Sequence, residues 1–300
     1  MKPLVSIVIT TKNSDKHINN CLKSIKEQSY ENIEIIIVDS DSKDKTREIA
    51  KRYSKLVYNK KGERSTGRNY GMISKSKGKY VMFIDSDMIL SPSLVENCVL
   101  SIKKQACLAL FIPEVILGKS FFSKVRCFER SFYNGTVIDG ARFFLKKAFV
   151  KSKGFDEKLY AGEDWDIDKK IKKIGRIGLL NEDETKNSNW CLRNFILRRG
   201  INPDDHACVI YHNESDFNLK NYLRKKNYYT DNIDQYINKW GSDDSDVKKQ
   251  FGLFYRLFWV FLENGKWKKL ILKPHMTFGL YYLRFRVALN FLINFKWRKK

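Results

Sequence analysis

The chain has 300 residues, 43% of them hydrophobic and 30% charged. That is room for one large or two modest domains with a real core, and the composition excludes a disordered chain. A formal net charge of +23 with a pI near 9.6 points to an anionic partner: nucleic acid, anionic lipid or a phosphorylated small molecule.

In chain order, "LVSIVITT" (4–11) is a continuous β-branched run, and a helical pattern follows around 15–28. "IEIIIVD" (33–39) reads as a second buried strand, with Ser42 or Asp44 placed to cap the helix of "SKDKTREIAKRY". "KLVYN" (55–59) is a short third strand, a helix is expected through about 65–77, and "KYVMFIDSD" is the next strand. Alternation of this kind, with runs apolar on both faces, predicts an α/β fold whose parallel sheet is covered by helices. Ligands of such sheets bind beyond the carboxyl ends of the strands. Asp39 and Asp85 each end an apolar run and should face one crevice, with Thr11 and Asn13 on the same rim.

A helix is expected at 91–104, a strand over "CLALFIP" (107–113) and an aromatic stretch near 121–133. From 217 the pattern is helical, then an acidic turn, "GSDDSD", leads into a basic aromatic tail. Residues 247–300 hold thirteen Lys/Arg and one acid, Glu263, a net of +12. Cys21, Cys98, Cys107, Cys127, Cys191 and Cys208 form no Cys-x-x-Cys pair and have no histidine at ligand spacing, which predicts reduced thiols of a cytosolic compartment. "MKPLVSIVITT" has neither an h-region nor a small-residue cleavage site, so no signal peptide is expected.

Three segments carry a resemblance. "VSIVITTKNSDKHINNCLKSIKEQSYENIEIIIVDSDSKDKT" resembles the opening of the family 2 glycosyltransferases of the GT-A fold. "GERSTGRNYGMISKSKGKYVMFIDSDM" is similar to that family's Arg-Asn-x-Gly helix leading to its metal-binding D-x-D. "RFFLKKAFVKSKGFDEKLYAGEDWDI" is similar to its Gly-Phe-Asp-Glu segment followed by the catalytic Glu-Asp pair. The similarity covers about 4–175 and weakens through 212. It implies a GT-A Rossmann-like, mostly parallel sheet with a C-terminal helical extension. The expected division is a nucleotide-sugar-binding half at 1–105, an acceptor-binding and catalytic half at 106–215, and a membrane-associating helical region at 216–300.

The chemistry agrees with the resemblance. A nucleotide-sugar donor leaves as a diphosphate, and a divalent cation held by carboxylates offsets the charge that grows on it. Alternate residues of an extended segment share a face, so Asp85 and Asp87 can point together towards Mn2+ or Mg2+, one of them also towards the ribose. Ser86, between them, is counted with the donor-binding residues. The resemblance implies that Asp39 bonds the nucleobase, with Thr11 and Asn13 beside base and ribose; a turn acid or helix cap is the alternative for Asp39. Arg68 aligns with the diphosphate-side arginine, and a guanidinium matches phosphate oxygens. Arg64 faces the same rim or is a solvated surface residue.

Direct displacement at the anomeric carbon needs a base for the acceptor hydroxyl. "AGEDWDID" offers one at a loop-to-helix junction, where the helix dipole favours an ionised carboxylate. The resemblance implies Asp164 as base, with Glu163 orienting the acceptor or holding the loop. Trp165 is a sugar platform or a core residue. "VIDGARFF" (137–144) matches the donor-sugar segment, so Asp139 and Gly140 are expected near the sugar. The resemblance implies that His212 in "CVIYHNE" is recruited to the metal or diphosphate; a surface or core histidine is the alternative. His17, His206 and His275 receive no role.

The two apolar stretches of the tail, 251–262 and 278–295, fall short of a spanning helix, and Arg284 and Arg286 interrupt the longer one. Aromatic residues among Lys and Arg, ending in "FKWRKK", suit a helix lying on an anionic membrane; packing on the catalytic domain and nucleic-acid binding are the alternatives. "NLKNYLRKKNYY" (218–229) resembles a segment of family members that use polyprenyl-phosphate-linked acceptors. The whole predicts an inverting glycosyltransferase, peripheral on the cytoplasmic face of the cell membrane, with a UDP-sugar favoured over a GDP-sugar. Its acceptor would be lipid-linked or a surface glycan, and no nucleic-acid partner is expected. A non-catalytic scaffold that keeps the fold and a processive polysaccharide synthase are the competing readings.

Overall fold

The runs Val5–Thr11 (β1) and Ile33–Asp39 (β2) are apolar on both faces, and side chains of both faces are buried, as strands covered by helices on two sides require. The computed structural model describes residues 1–181, 190–213 and 217–298. The remaining strands are β3 (Val57–Asn59), β4 (Tyr80–Asp85), β5 (Met88–Leu90), β6 (Ala109–Phe111), β7 (Glu114–Ile116), β8 (Ala141–Leu145), β9 (Ile177–Leu179) and β10 (Ile210–His212). A seven-stranded sheet has the order β3-β2-β1-β4-β8-β6-β9, and β5-β10-β7 form a small second sheet. In the large sheet β8 alone runs against its neighbours, so the sheet is mostly parallel. Register aligns the carboxyl ends: Thr11 lies opposite Asp39, Asp39 opposite Asn59, and Thr10 opposite Asp85.

Helices α1 (Ile18–Lys26), α2 (Thr46–Tyr53), α3 (Arg64–Asn69) and α4 (Leu94–Lys104) accompany the first strands. On one face Ile7, Ile9, Ile37, Met82 and Ile84 pack with Leu22 of α1 and Leu94 of α4. On the other, Val8, Ile36, Val38, Val81 and Phe83 pack with Met72, Phe149 and Ile167. The alternation of the two sets is the period of a strand, and each such side chain contributes roughly 1.5–3 kcal/mol by burial.

Two expectations change in detail. The helix through 65–77 is α3 followed by a π-helical turn, Tyr70–Lys75. It lies directly on β1: a Cβ at Gly67 would stand 2.9 Å from Thr10 Cγ2, and one at Gly71 2.4 Å from Val8 Cγ1. Of the strand expected over 107–113 only β6 forms; Pro113, which has no N–H to give a ladder, stands between it and β7 of the second sheet.

Later come α5 (Phe121–Arg130), α6 (Lys146–Lys151), α7 (Glu163–Lys172) and α8 (Arg193–Arg198), then α9 (Leu219–Asp231), α10 (Asp234–Trp240), α11 (Ser245–Phe251), α12 (Val260–Leu262), α13 (Trp267–Leu272) and α14 (Pro274–Arg298). The aromatic stretch near 121 is α5, whose Ser120 cap accepts the N–H of Ser123 at 3.1 Å.

The helical stretch expected at 216–300 divides by what it touches. Tyr236 of α10 and Val247 of α11 pack with Leu159, Ala161 and Trp165. Asp166 of α7 accepts the indole N–H of Trp240 at 2.9 Å and pairs with Lys239 at 2.7 Å, so α10 and α11 brace α7. Further on, Phe261, Leu280 and Leu283 pack with Val125, Phe128 and Phe132, as the packed-helix alternative for the tail requires. The other side of this segment leaves Leu253, Phe254, Phe258, Trp259, Ile271 and Phe278 exposed. No helix among the described residues is long and apolar enough to cross a membrane. Lys299 and Lys300 of "FKWRKK" lie outside the described residues.

Candidate active site

The end of β2 is tied to the end of β1. The Asp39 side chain is fully buried; it accepts Thr11 Oγ1–H at 2.9 Å, Ser42 N–H at 2.9 Å and Ser42 Oγ–H at 2.5 Å. Asn13, at φ 49°, donates its N–H to Ser42 Oγ at 2.8 Å and accepts Lys43 N–H at 2.9 Å. Thr11, Asn13 and Asp39 thus come together at the strand ends, where Asp39 shapes the loop through Ser42. Asp44 accepts Thr46 N–H at 3.0 Å where α2 begins.

Because Gly67 of α3 and Gly71 of the turn after it let this segment sit on β1, Arg68 is enclosed, with 1% of its side chain exposed. Its guanidinium stacks on Phe83 at 4.2 Å and donates to Asp85 Oδ1 and to Asp164 Oδ1, each at 3.0 Å. Burial pushes the Asp85 carboxyl up, but Arg68, Arg142 and Arg64 hold it well below the usual carboxylate range. One buried cation therefore joins the D-x-D acid to the acid expected as base, 79 positions apart in sequence.

Gly162 adopts φ 78°, which a β-branched residue would resist, and turns the chain so that α7 starts at Glu163. Glu163 is buried, 3.4 Å from Arg64 and 3.9 Å from Arg68. Burial and the neighbouring Asp164 raise Glu163 to about 6 against the pull of Arg64 and Arg68. Asp164 is the more accessible, with 34% of its side chain exposed. Trp165 donates to Ile138 O at 3.0 Å and rests edge-on against Tyr236 at 5.8 Å, as a core residue does.

A Cβ on Gly140 would stand 3.0 Å from Asp164 Cβ, so this glycine makes the space in which the acid sits. Asp139 turns away from the cleft: it is 2% exposed, and accepts Arg130 at 2.7 Å, Gly135 N–H at 2.9 Å and Gly140 N–H at 3.0 Å. It holds the loop from behind.

Ser86 Oγ donates to Ser14 Oγ at 2.9 Å. Asp87 and His212 come together across β5 and β10, with Nε2 3.3 Å from Asp87 Oδ2. Asp85, expected beside them as a metal ligand, pairs with Arg68 instead, and among the described residues no three acid, imidazole or thiol groups gather at metal-binding reach. Asp87 Oδ1 is buried with no hydrogen-bond partner. A carboxylate oxygen and an imidazole nitrogen suit Mn2+ or Mg2+ that takes its other positions from phosphate oxygens and water.

Three residues of the site escape the sequence reading. Arg142 of β8 bonds Glu114 at 2.6 Å, lies 4.0 Å from Asp85 Oδ2 and places its guanidinium 5.2 Å from Phe83. Arg130 of α5 reaches Glu114 at 3.2 Å. The signal available is alternation, since Arg142 is a charged residue inside the apolar run "ARFFL".

A carboxylate-lined crevice beyond the strand ends of a mostly parallel sheet is the class of structure seen in GT-A glycosyltransferases. Similar structures include a mannosyltransferase from Pyrobaculum calidifontis solved with GDP-Man and Mn2+ (TM-score 0.58, 15% identity, 97% of this chain and 84% of that one). Another is S. aureus TarS 1–349 with UDP-GlcNAc (TM-score 0.52, 16% identity, 93% and 79%). Residues 6–152 match the model of glycosyl transferase family 2. Glycosyltransferase GlyG of Streptococcus pneumoniae serotype 4 is 33% identical over 151 residues, 48% of this chain and 44% of the relative. Minor teichoic acid biosynthesis protein GgaB of Bacillus subtilis is 30% identical over 183 residues, 53% of this chain and 20% of that protein. The chain thus spans less than half the length of these curated relatives.

Proposed function

We propose that this chain is an inverting, metal-dependent glycosyltransferase that works on the cytoplasmic face of a membrane. It moves a sugar from a nucleotide donor, UDP-linked before GDP-linked, to a lipid-linked or surface-glycan acceptor. The observation that carries the reading is Arg68, buried between Asp85 and Asp164. The UDP-GlcNAc complex of TarS and the teichoic acid role of GgaB support a UDP-sugar and a surface glycan; the GDP-Man complex of the mannosyltransferase keeps GDP as the second donor.

In this mechanism Asp39, Thr11 and Asn13 line the base and ribose side of the pocket. Asp87 and His212 would hold a divalent cation, which would offset charge on the departing diphosphate. Donor phosphate arriving beside Arg68 competes for its guanidinium, so that Asp164 is released to face the acceptor hydroxyl and take its proton. Asp85 keeps Arg68 and Arg142 oriented towards the donor. Glu163, held by Arg64, fixes the start of α7. A base so positioned contributes roughly 10²–10⁴-fold to the rate.

The test is thermal stabilisation by nucleotides and nucleotide-sugars, with Mn2+ and with EDTA, on wild type and Asp87→Ala. One nucleotide family should stabilise the wild type only with metal, and the substitution should remove the effect. No stabilisation by any nucleotide would leave a membrane-bound scaffold as the reading.

A further inference from the structure

Behind the exposed aromatic face, cations from four elements converge on one carboxylate. Arg126 of α5 reaches Glu129 Oε2 at 2.6 Å, and Arg284 Nε of α14 reaches Oε1 at 2.7 Å. Tyr133 donates to the same Oε1 at 2.9 Å. Lys226 of α9 and Arg256 of the π-helical turn Tyr255–Trp259 add their charges to the cluster. Burial and the neighbouring cations Arg126 and Arg256 bring Lys226 down to about 7. Burial also lowers Arg256 and Arg284, although Glu129 pulls both the other way.

Arg284 is 8% exposed, yet its Nη2 has no hydrogen-bond partner, and neither has the buried Nη1 of Arg256. Unpaired guanidinium donors are costly out of water, and Glu129 already accepts from Arg126 and Tyr133 and faces Arg284 as an ion pair. An anion with several oxygens would satisfy them. The cluster is lined by buried rings: the Arg284 guanidinium lies 5.6 Å from the Tyr133 ring and 5.3 Å from Phe261. Phe254, Phe258 and Trp259 beside Arg256, and Phe285 beside Arg284, are exposed.

We propose that Arg256 and Arg284, with Arg126 and Lys226, bind the phosphate of a lipid whose chain runs over Phe254, Phe258 and Phe285. α5 links this pocket to the catalytic cleft, since Arg130, next to Glu129, bonds Asp139 behind Gly140. The inference names the acceptor class of the reaction proposed above and rests on that reading for the acceptor alone.

The test uses the full chain and phosphatidylcholine vesicles with and without phosphatidic acid. It compares wild type, Arg256→Gln and Lys268→Gln, each variant losing one charge, while UDP-sugar binding is read on the same samples. A loosely placed surface charge is worth about fivefold in vesicle binding. Arg256→Gln should lose at least about tenfold more than Lys268→Gln for phosphatidic-acid vesicles, and inorganic pyrophosphate should compete. Equal losses, or equal binding to phosphatidylcholine alone, would overturn the site. Pyrophosphate binding without a vesicle preference would assign the cluster to free phosphate and overturn the lipid. Loss of UDP-sugar binding in wild type with the vesicle result intact would remove the transferase reading and leave this site standing.

Discussion

Along β1 and β2 the large apolar side chains close into two cores, and the fully buried acid at the rim, Asp39, has its oxygens taken by Thr11 and Ser42. Between Leu253 and Phe285 the chain does the opposite. Leu253, Phe254, Ile271, Leu272, Phe278 and Phe285 are each more than 60% exposed, and three buried guanidinium nitrogens, Nη1 of Arg256 with Nε and Nη2 of Arg284, have no hydrogen-bond partner. The first region is complete in itself. The second gathers exposed aromatic residues with lysines and arginines, the composition that the proposed lipid site needs.

The largest effect that can break this contrast comes from the exposed aromatics. Phe254→Ser with Trp259→Ser removes two side chains that would each contribute roughly 1.5–3 kcal/mol if buried in a lipid interface. Sedimentation with anionic vesicles should show binding falling at least about tenfold, while Leu100→Ser on the sheet half leaves it unchanged. Equal effects from the two regions would end the distinction.

A smaller effect sharpens it from the other side. Glu163 is raised to about 6, so the folded state keeps a proton that the unfolded chain, with a value near 4.5, has lost. Stability from this residue is therefore present below about pH 4.5 and is lost as pH rises through about 6. Glu163→Gln should gain roughly 1–2 kcal/mol relative to wild type at pH 8 compared with pH 4.5, read as the difference in Tm at the two values. A gain that does not change with pH would mean that Glu163 ionises freely in the fold.

What the sequence makes legible follows the range of the physics. β1, β2 and β4 are visible as unbroken β-branched and apolar runs, and the helix start at Glu163 is visible from Gly162 and the acids after it. Arg68 is harder. The motif marks it as an arginine of the cleft rim, and only the approach of Gly67 and Gly71 to β1 explains why it is buried. The sheet β5-β10-β7 is built from three-residue strands, too short to show a period, and it is what brings His212 to Asp87. The bracing of α7 by Trp240 joins residues 74 apart, which no local pattern encodes. Asp139 shows the limit of motif matching: its neighbour Gly140 touches the site, and the acid holds the loop from beneath.

In the proposed mechanism Arg68 holds a donor-side acid and a base in one cleft, and Asp164 does the proton transfer. The most direct test is to titrate the stabilising nucleotide-sugar into wild type and Asp164→Asn with Mn2+, and to measure transfer on the same preparations. The account predicts donor affinity within about threefold of wild type and transfer reduced by roughly 10²–10⁴. Transfer at the wild-type rate in Asp164→Asn would contradict it.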